Sequence, residues 1–302
     1  MDVADMITVN RIMPDEQFGG LWDSIVVDET VKDRLIRSVA LSLRLRTELP
    51  FETTALHGLA LLYGPPGTGK TTLARGVAHQ LAPLVKGHQT RFIEVNPHGL
   101  MSAEHGQSQR KVSELLGEHI PALAEDGMPT VVLLDEVESM AVARSEASLA
   151  ANPADVHRAT DAVLAALDAN TSGLPHVVIV ATSNFTRALD AAFLSRADVA
   201  IEVPLPNEMA AKDILQTTLH AMSIAYAPLA DLAMNPGLDE VARKLAGTDG
   251  RRIRKTITEA MLSRMDTVLD PGQLRLEDLI AGAGRVRDPA DQRLPIRQGE
   301  EP

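Results

Sequence analysis

Residues 58–71 read GLALLYGPPGTGKT, an apolar run followed by a loop rich in glycine and proline. The apolar part, 58–63, is short and uninterrupted, as expected for a strand that is buried on both faces of a sheet. The loop 64–71 matches the pattern GxxxxGK[ST], in which glycines let backbone N–H groups surround phosphate oxygens. Because a helix should begin near Lys70 and point its positive end at the anion, the stretch predicts a phosphate-binding loop and not a chance turn.

This loop supplies most of the residues that we expect to bind ATP with Mg²⁺. Lys70 is suited to neutralise the β- and γ-phosphates, and the Thr71 hydroxyl is suited to ligate Mg²⁺. The predicted nucleotide-binding residues of the loop and the helix start are Gly64, Pro65, Pro66, Gly67, Thr68, Gly69, Lys70, Thr71 and Thr72.

A second apolar run, 131–134, ends in two acids, Asp135 and Glu136. The end of a buried parallel strand places them at the carboxyl edge of the sheet, beside the phosphate loop. Asp135 is suited to hold Mg²⁺ through water or through another ligand of the metal, and Glu136 to orient and deprotonate the attacking water. The alternative, two solvated acids that cap a helix, is less favoured once the phosphate loop is considered.

Three polar residues farther along complete the predicted site. Asn184 ends the next predicted strand and is suited to hold the water and the γ-phosphate, although Asn also favours helix caps. Arg196 is the preferred arginine finger, acting on the ATP of a neighbouring subunit, and Arg187 follows Asn184 too closely to be preferred. Arg251 lies at the start of a later helix. We interpret it as a sensor of the phosphates, and the alternatives are a solvated basic face or a nucleic-acid patch.

Strands and helices alternate along the first two thirds of the chain, and the remainder is helical. Further strands are predicted at 91–95, 130–134, 176–181 and 199–203. The pattern indicates an α/β fold, with a parallel five-stranded sheet sandwiched by helices and a small helical lid domain. The predicted parts are a leader (1–17), a large nucleotide-binding domain (18–205), the lid domain (206–285) and a flexible tail (286–302).

The composition and the charge argue against several classes of protein and of chemistry. The 302 residues carry 41 acidic and 29 basic side chains, a formal net charge of -12 that disfavours nucleic-acid binding. The chain has no cysteine, which excludes disulfides and thiolate chemistry. It shows neither a secretory signal nor the roughly 20 apolar residues that a membrane span needs. We therefore expect a cytoplasmic protein without a membrane partner.

Three segments resemble one family more specifically. Residues 18–24 (FGGLWDS), 135–139 (DEVES) and 192–198 (AFLSRAD) are similar to the pachytene-checkpoint and thyroid-receptor-interacting AAA+ ATPases, which remodel HORMA-domain proteins. The similarity runs from about residue 17 to about residue 265. Only 17 residues precede Phe18, so the chain resembles short bacterial members without the N-terminal domain. Those members accompany HORMA proteins and a cyclic-oligonucleotide synthase in anti-phage systems.

The resemblance implies a homo-hexamer with ATP sites between subunits and a central pore that partly unfolds a HORMA-domain client, switching it off. It also implies that 20–27 line the adenine pocket, that Arg196 is the finger and that Arg251 is the lid sensor. Pore loops are implied at about 100–108 and 144–157. The first of these lacks the aromatic residue that the family tends to use for grip.

Two other functions remain as alternatives. A DNA-directed AAA+ ATPase, such as a clamp or helicase loader, should carry lysines and arginines in its pore, but 100–109 contain none. A scaffold that binds ATP without hydrolysing it is disfavoured, because every residue needed for hydrolysis is present.

Overall fold

The computed structural model describes residues 6–96, 107–141, 154–185 and 189–286. The chain divides into two compact units, Met1–Val203 and Pro204–Pro302. In the described ranges, no helix combines the length and the apolar character that crossing a membrane requires.

One mixed sheet forms the centre of the first unit. Its six strands in the described residues are β1 (Ile7–Met13), β2 (Leu59–Tyr63), β3 (Thr90–Val95), β4 (Thr130–Leu134), β5 (Val177–Ser183) and β6 (Val199–Glu202). Their order across the sheet is β1-β3-β4-β5-β2-β6. The five predicted strands are parallel to one another, with Leu62 opposite Thr182 and Leu134 opposite Ala181. The strand that leads to the phosphate loop and the strand that leads to the acids therefore flank β5.

The sixth strand, β1, corrects the prediction that 1–17 form a leader. It pairs antiparallel with β3 at the edge of the sheet and places Ile12 opposite Arg91. Met6 and Met13 are buried at its two ends, whereas most side chains between them are partly or fully exposed. Because an edge strand of this kind has no continuous apolar run, the segment carries little strand signal in the sequence.

Helices cover both faces of this sheet. In the described part of the first unit they are α1 (Glu16–Ser24), α2 (Glu29–Glu48), α3 (Phe51–Thr54), α4 (Lys70–Leu81), α5 (Gln107–Glu114), α6 (Ile120–Leu123), α7 (Ala154–Gly173) and α8 (Ala191–Ser195). On one face the buried side chains of α2 and α4, such as Leu35 and Leu73, pack with Leu133 and Val180. On the other face, Val112 and Val163 pack with alternate residues of the same strands. The alternation buries each central strand on both faces, which explains its uninterrupted apolar run.

Asp198 fixes the end of the sheet that lies opposite the phosphate loop. Its carboxylate accepts hydrogen bonds from the backbone N–H groups of His57, Gly58 and Leu59 at 2.7, 2.9 and 3.2 Å. It also accepts one from the Ser42 hydroxyl at 3.1 Å. Next to it, burial lowers the pKa of the Arg46 guanidinium, and the charge of Asp198 opposes that shift. One residue of the family motif 192–198, Asp198, therefore has a structural role.

Replacing Asp198 with alanine should lower the free energy of unfolding by about 2–4 kcal/mol, because backbone donors would lose their acceptor and Arg46 its counter-charge. Asp213→Ala, on the exposed side of a helix in the second unit, is the matched control and should change stability by less than about 0.5 kcal/mol. Chemical denaturation of both variants measures the difference. Equal stability of the two variants would contradict this role.

The described part of the second unit is helical. It contains α9 (Glu208–Ser223), α10 (Leu229–Ala233), α11 (Leu238–Leu245), α12 (Gly250–Met261), α13 (Met265–Leu269) and α14 (Leu276–Val286). α12 ends at Met261, and α13 follows as a separate short helix. The Thr267 hydroxyl donates to the carbonyls of Met261 and Arg264 at 2.6 and 2.8 Å, which stabilises the break.

Candidate active site

The phosphate loop follows β2 and adopts a backbone that requires glycine at several positions. Gly64, Gly67 and Gly69 have φ values of 144°, 77° and 97°. A Cβ at Gly64 would lie 2.3 Å from the Val203 carbonyl oxygen, and one at Gly69 would lie 2.2 Å from the Ile25 side chain. Conformation and close approach therefore both exclude larger residues there.

Lys70 lies in the first turn of α4 and is buried. Its Nζ donates to the carbonyl oxygens of Gly64 and Pro65 at 2.9 and 2.8 Å. Burial lowers the pKa of Lys70, and the negative charges of Glu138, Asp135 and Glu136 oppose this shift. The loop thus holds a cation that faces three acids.

The two predicted metal ligands are in contact. The Thr71 hydroxyl, one residue into α4, donates to Asp135 Oδ1 at 2.8 Å. Because β4 ends beside the start of α4, an oxygen from each element is available at the same point. Oxygens of this kind are the ligands that a hard cation prefers.

Glu136 has an unusual backbone. Its φ is 52° and its ψ is 51°, in the left-handed region that residues other than glycine rarely occupy. Its carboxylate accepts a long hydrogen bond of 3.4 Å from the Asn184 side-chain amide. A strained residue that the surrounding structure holds in place is typical of functional sites, and it supports the selection of Glu136.

Thr182, near the end of β5, is a site residue that the sequence analysis missed. Its hydroxyl accepts the Glu136 N–H at 2.9 Å and donates to Asp135 Oδ1 at 2.5 Å. The signal that could have identified it is a polar side chain two residues before Asn184, after the apolar run 177–181.

Glu138 is the second missed residue. Its Oε1 accepts the backbone N–H of Asn184 at 3.1 Å. Its other oxygen is buried and has no hydrogen-bond partner within the described residues. Of the acids whose charge raises the pKa of Lys70, Glu138 has the largest effect. The sequence analysis included Glu138 in the family motif 135–139 but predicted no role for it.

These contacts describe a site for nucleotide hydrolysis, and comparison with known proteins identifies its family. The model of the ATPase family associated with various cellular activities (AAA) matches residues 60–205. CD-NTase-associated protein 6 of Pseudomonas aeruginosa is 45% identical over 88% of both chains. The Pachytene checkpoint protein 2 homolog of Sus scrofa is 31% identical over 91% of this chain and 69% of its own length. The chain belongs to the pachytene-checkpoint AAA ATPases. It is therefore an ATP-hydrolysing enzyme, as the phosphate loop and the acids predicted.

A solved structure agrees with this assignment at the level of the fold. A chain of the Escherichia coli MS115-1 HORMA:CdnC:Trip13 complex matches with a TM-score of 0.74 over 94% of this chain and 97% of that chain, at 16% identity. The predicted α/β AAA+ fold is confirmed, with the antiparallel edge strand as its one addition among the described strands.

The donor set of this pachytene-checkpoint ATPase fits a magnesium nucleotide. In the part of the chain that the structure describes, no group of three or more His, Asp or Glu side chains is arranged to hold a metal. Protein sites for Mg²⁺ usually offer one or two oxygens and leave the other positions to phosphates and water. Thr71 and Asp135 offer such a pair beside the loop.

Arg196 lies at the edge of the sheet opposite the phosphate loop. It precedes β6, whose Val199 pairs with Ala60 near the start of the parallel strand β2, whereas the loop follows the end of β2. Five strand residues separate the two edges by about 16 Å. The guanidinium group donates from Nε and Nη2 to Asp168, both at 2.7 Å, and this bond lowers the pKa of Asp168. The structure therefore does not bring Arg196 to the phosphate loop of its own chain.

The roles predicted for the remaining residues and segments stay predictions. Arg251 is exposed in the first turn of α12, in the second unit, and its sensor role stays a prediction. Arg187 and most of the two predicted pore loops lie outside the described residues. Of the predicted adenine pocket, Trp22 is buried in α1 against Gly76 of α4, and Ile25 contacts Gly69. The pocket itself also stays a prediction.

Proposed function

We propose that this chain is a homo-hexameric, cytoplasmic remodeller that uses ATP with Mg²⁺ to unfold part of a HORMA-domain client. By acting on that client, it switches off an anti-phage complex that contains a cyclic-oligonucleotide synthase. The observation that carries the proposal is the 45% identity to CD-NTase-associated protein 6 over 88% of both chains. The fold shared with a chain of a HORMA:CdnC:Trip13 complex is consistent with it.

The hydrolysis step follows from the contacts of the site. When bound, the magnesium nucleotide supplies the phosphoryl bond to be cleaved, and the metal offsets phosphate charge. Lys70 and the loop N–H groups hold the phosphates, and Thr71 and Asp135 hold the metal. The Glu136 carboxylate orients the attacking water and accepts its proton, and the Asn184 amide directs that carboxylate.

The position of Arg196 supports a site that two subunits share. Its bidentate bond to Asp168 holds the guanidinium group in a fixed orientation at the edge remote from its own loop. A neighbouring subunit that presents its phosphate loop to this edge would receive the positive charge that phosphoryl transfer requires. In the helical unit, Arg251 senses the nucleotide and transmits its state.

The client-release experiment tests the proposal. The HORMA-domain protein from the same genome is loaded with a fluorescent partner peptide, and release is followed by anisotropy with this chain and either ATP or ADP. We expect release with ATP and Mg²⁺ only, and none with the Lys70→Ala chain as the control. ATP turnover without release of peptide would overturn the client assignment and leave the ATPase assignment intact.

A further inference from the structure

The Thr182 hydroxyl joins the strand that carries the acids to the central strand β5. A threonine hydroxyl has one proton to donate and lone pairs to accept with, and Thr182 uses both capacities on consecutive residues. It donates to the Asp135 carboxylate and accepts the Glu136 N–H. The predicted metal ligand Asp135 and the proposed base Glu136 are therefore held by the same oxygen atom.

The bond to the Glu136 N–H acts on a strained part of the backbone. A non-glycine residue in the left-handed region is strained and persists only where its surroundings hold it. At Glu136, the N–H is held by Thr182, and the carbonyl accepts from the Ser139 N–H and hydroxyl at 3.1 and 3.0 Å. Without the Thr182 bond, one of these backbone restraints is lost, and the backbone that sets the position of the carboxylate is held less firmly.

The location of Thr182 makes its hydroxyl hard to replace. Its side chain is 1% exposed, and on β5 it lies opposite Leu62, two residues before the phosphate loop begins. Water is thereby excluded from the position of the hydroxyl, so a hydrogen bond lost there is not remade by solvent. Thr71 also donates to Asp135 but is assigned to the metal, which leaves the Thr182 hydroxyl to hold Asp135 when the metal is bound.

We propose that Thr182 is a positioning residue for ATP hydrolysis, which sets the backbone of Glu136 and the orientation of Asp135 through one hydroxyl group. It touches neither the phosphates nor the attacking water, and it acts through its two partners. The proposal rests on the role of Glu136 as the base, given above.

Thr182→Val removes the hydroxyl at nearly constant volume and tests the proposal. We expect the kcat for ATP to fall about 10- to 100-fold, with the KM and the ATP affinity changed by less than about threefold. Thr182→Ser keeps the hydroxyl and should recover kcat to within about threefold of the original chain. If the valine variant does not fold, Thr182→Cys gives the same readout, because a thiol is a poor hydrogen-bonding group.

Thr90→Val is the matched control. Thr90 is a fully buried threonine on β3 of the same sheet, and its hydroxyl donates to the Ala78 carbonyl at 2.7 Å, away from the acids. This variant should lower the melting temperature about as much as Thr182→Val and leave kcat unchanged. Comparison of Thr90→Val with Thr182→Val separates the two effects. Loss of a buried hydrogen bond lowers the melting temperature of both variants, whereas loss of positioning lowers kcat in Thr182→Val alone.

Three results would overturn the proposal: an unchanged kcat in Thr182→Val, equal losses in the valine and serine variants, or an equal loss in Thr90→Val. Parallel assays of Glu136→Gln identify which assignment has failed. If Glu136→Gln loses turnover and Thr182→Val keeps it, only the positioning role is wrong. If Glu136→Gln keeps turnover, the base assignment fails and the positioning role fails with it.

Discussion

Replacing Glu136 with glutamine should lower the turnover number for ATP about 10²–10⁴-fold, because an amide cannot accept the proton of the attacking water. The size of the side chain is unchanged, and its amide oxygen can still accept the Asn184 hydrogen bond that the carboxylate accepts at 3.4 Å. The contacts of Lys70, Thr71 and Asp135 are untouched, so ATP affinity should stay within about threefold of the original value. Single-turnover phosphate release and binding of a fluorescent ATP analogue measure the two quantities separately.

The matched control for this substitution is Glu125→Gln. Glu125 is exposed in the loop that precedes β4, and its substitution should leave both turnover and affinity unchanged. Because Glu136→Gln should bind ATP without hydrolysing it, we also expect the variant to retain its client, visible as a stable complex in size-exclusion chromatography. Turnover within twofold of the original chain would show that another group accepts the proton.

Replacing Arg196 with alanine should lower turnover about 10³–10⁵-fold, the range that an arginine finger contributes to phosphoryl transfer. ATP binding should persist, because Arg196 lies at the edge of the sheet away from the loop of its own chain. Arg34→Ala, an exposed arginine on α2, is the control and should keep full activity. Phosphate release and nucleotide binding are measured for each variant alone.

Mixing two inactive variants tests whether the arginine acts on a neighbour. Chains with Lys70→Ala keep Arg196, and chains with Arg196→Ala keep an intact phosphate loop. In mixed assemblies, some interfaces combine the intact loop of one chain with the intact arginine of the next, so activity should reappear and vary with the mixing ratio. If co-purification with two tags shows mixed assemblies but turnover does not recover at any ratio, the shared site is wrong.

The sequence predicted the parts of the site that are local in the chain. The loop 64–71 and the pair Asp135 and Glu136 each lie at the end of an apolar run, and both end at the carboxyl edge of the sheet. Parallel strands bring such ends together whatever the loops between them do, and Asn184, which follows β5, donates a hydrogen bond to Glu136. By contrast, β1 was missed because an edge strand shows no uninterrupted apolar run.

The sequence pattern could not predict contacts between residues that are far apart in the chain. Thr182 lies 46 residues from Glu136, and Asp168 lies 28 residues from Arg196, so neither pair leaves a periodic signal. The same holds for Asp198, which looked like a motif residue and anchors the backbone 139–141 residues away.

The sequence by itself determined which chemistry to expect of this protein: a phosphate loop, a predicted pair of metal ligands and a predicted catalytic base, each specified by a few consecutive residues at the end of a strand. Only the tertiary structure decided which hydroxyl holds the acids and which edge of the sheet carries the arginine. The physical reason is that backbone geometry acts between neighbours in the chain, whereas side-chain hydrogen bonds depend on how the strands and helices pack.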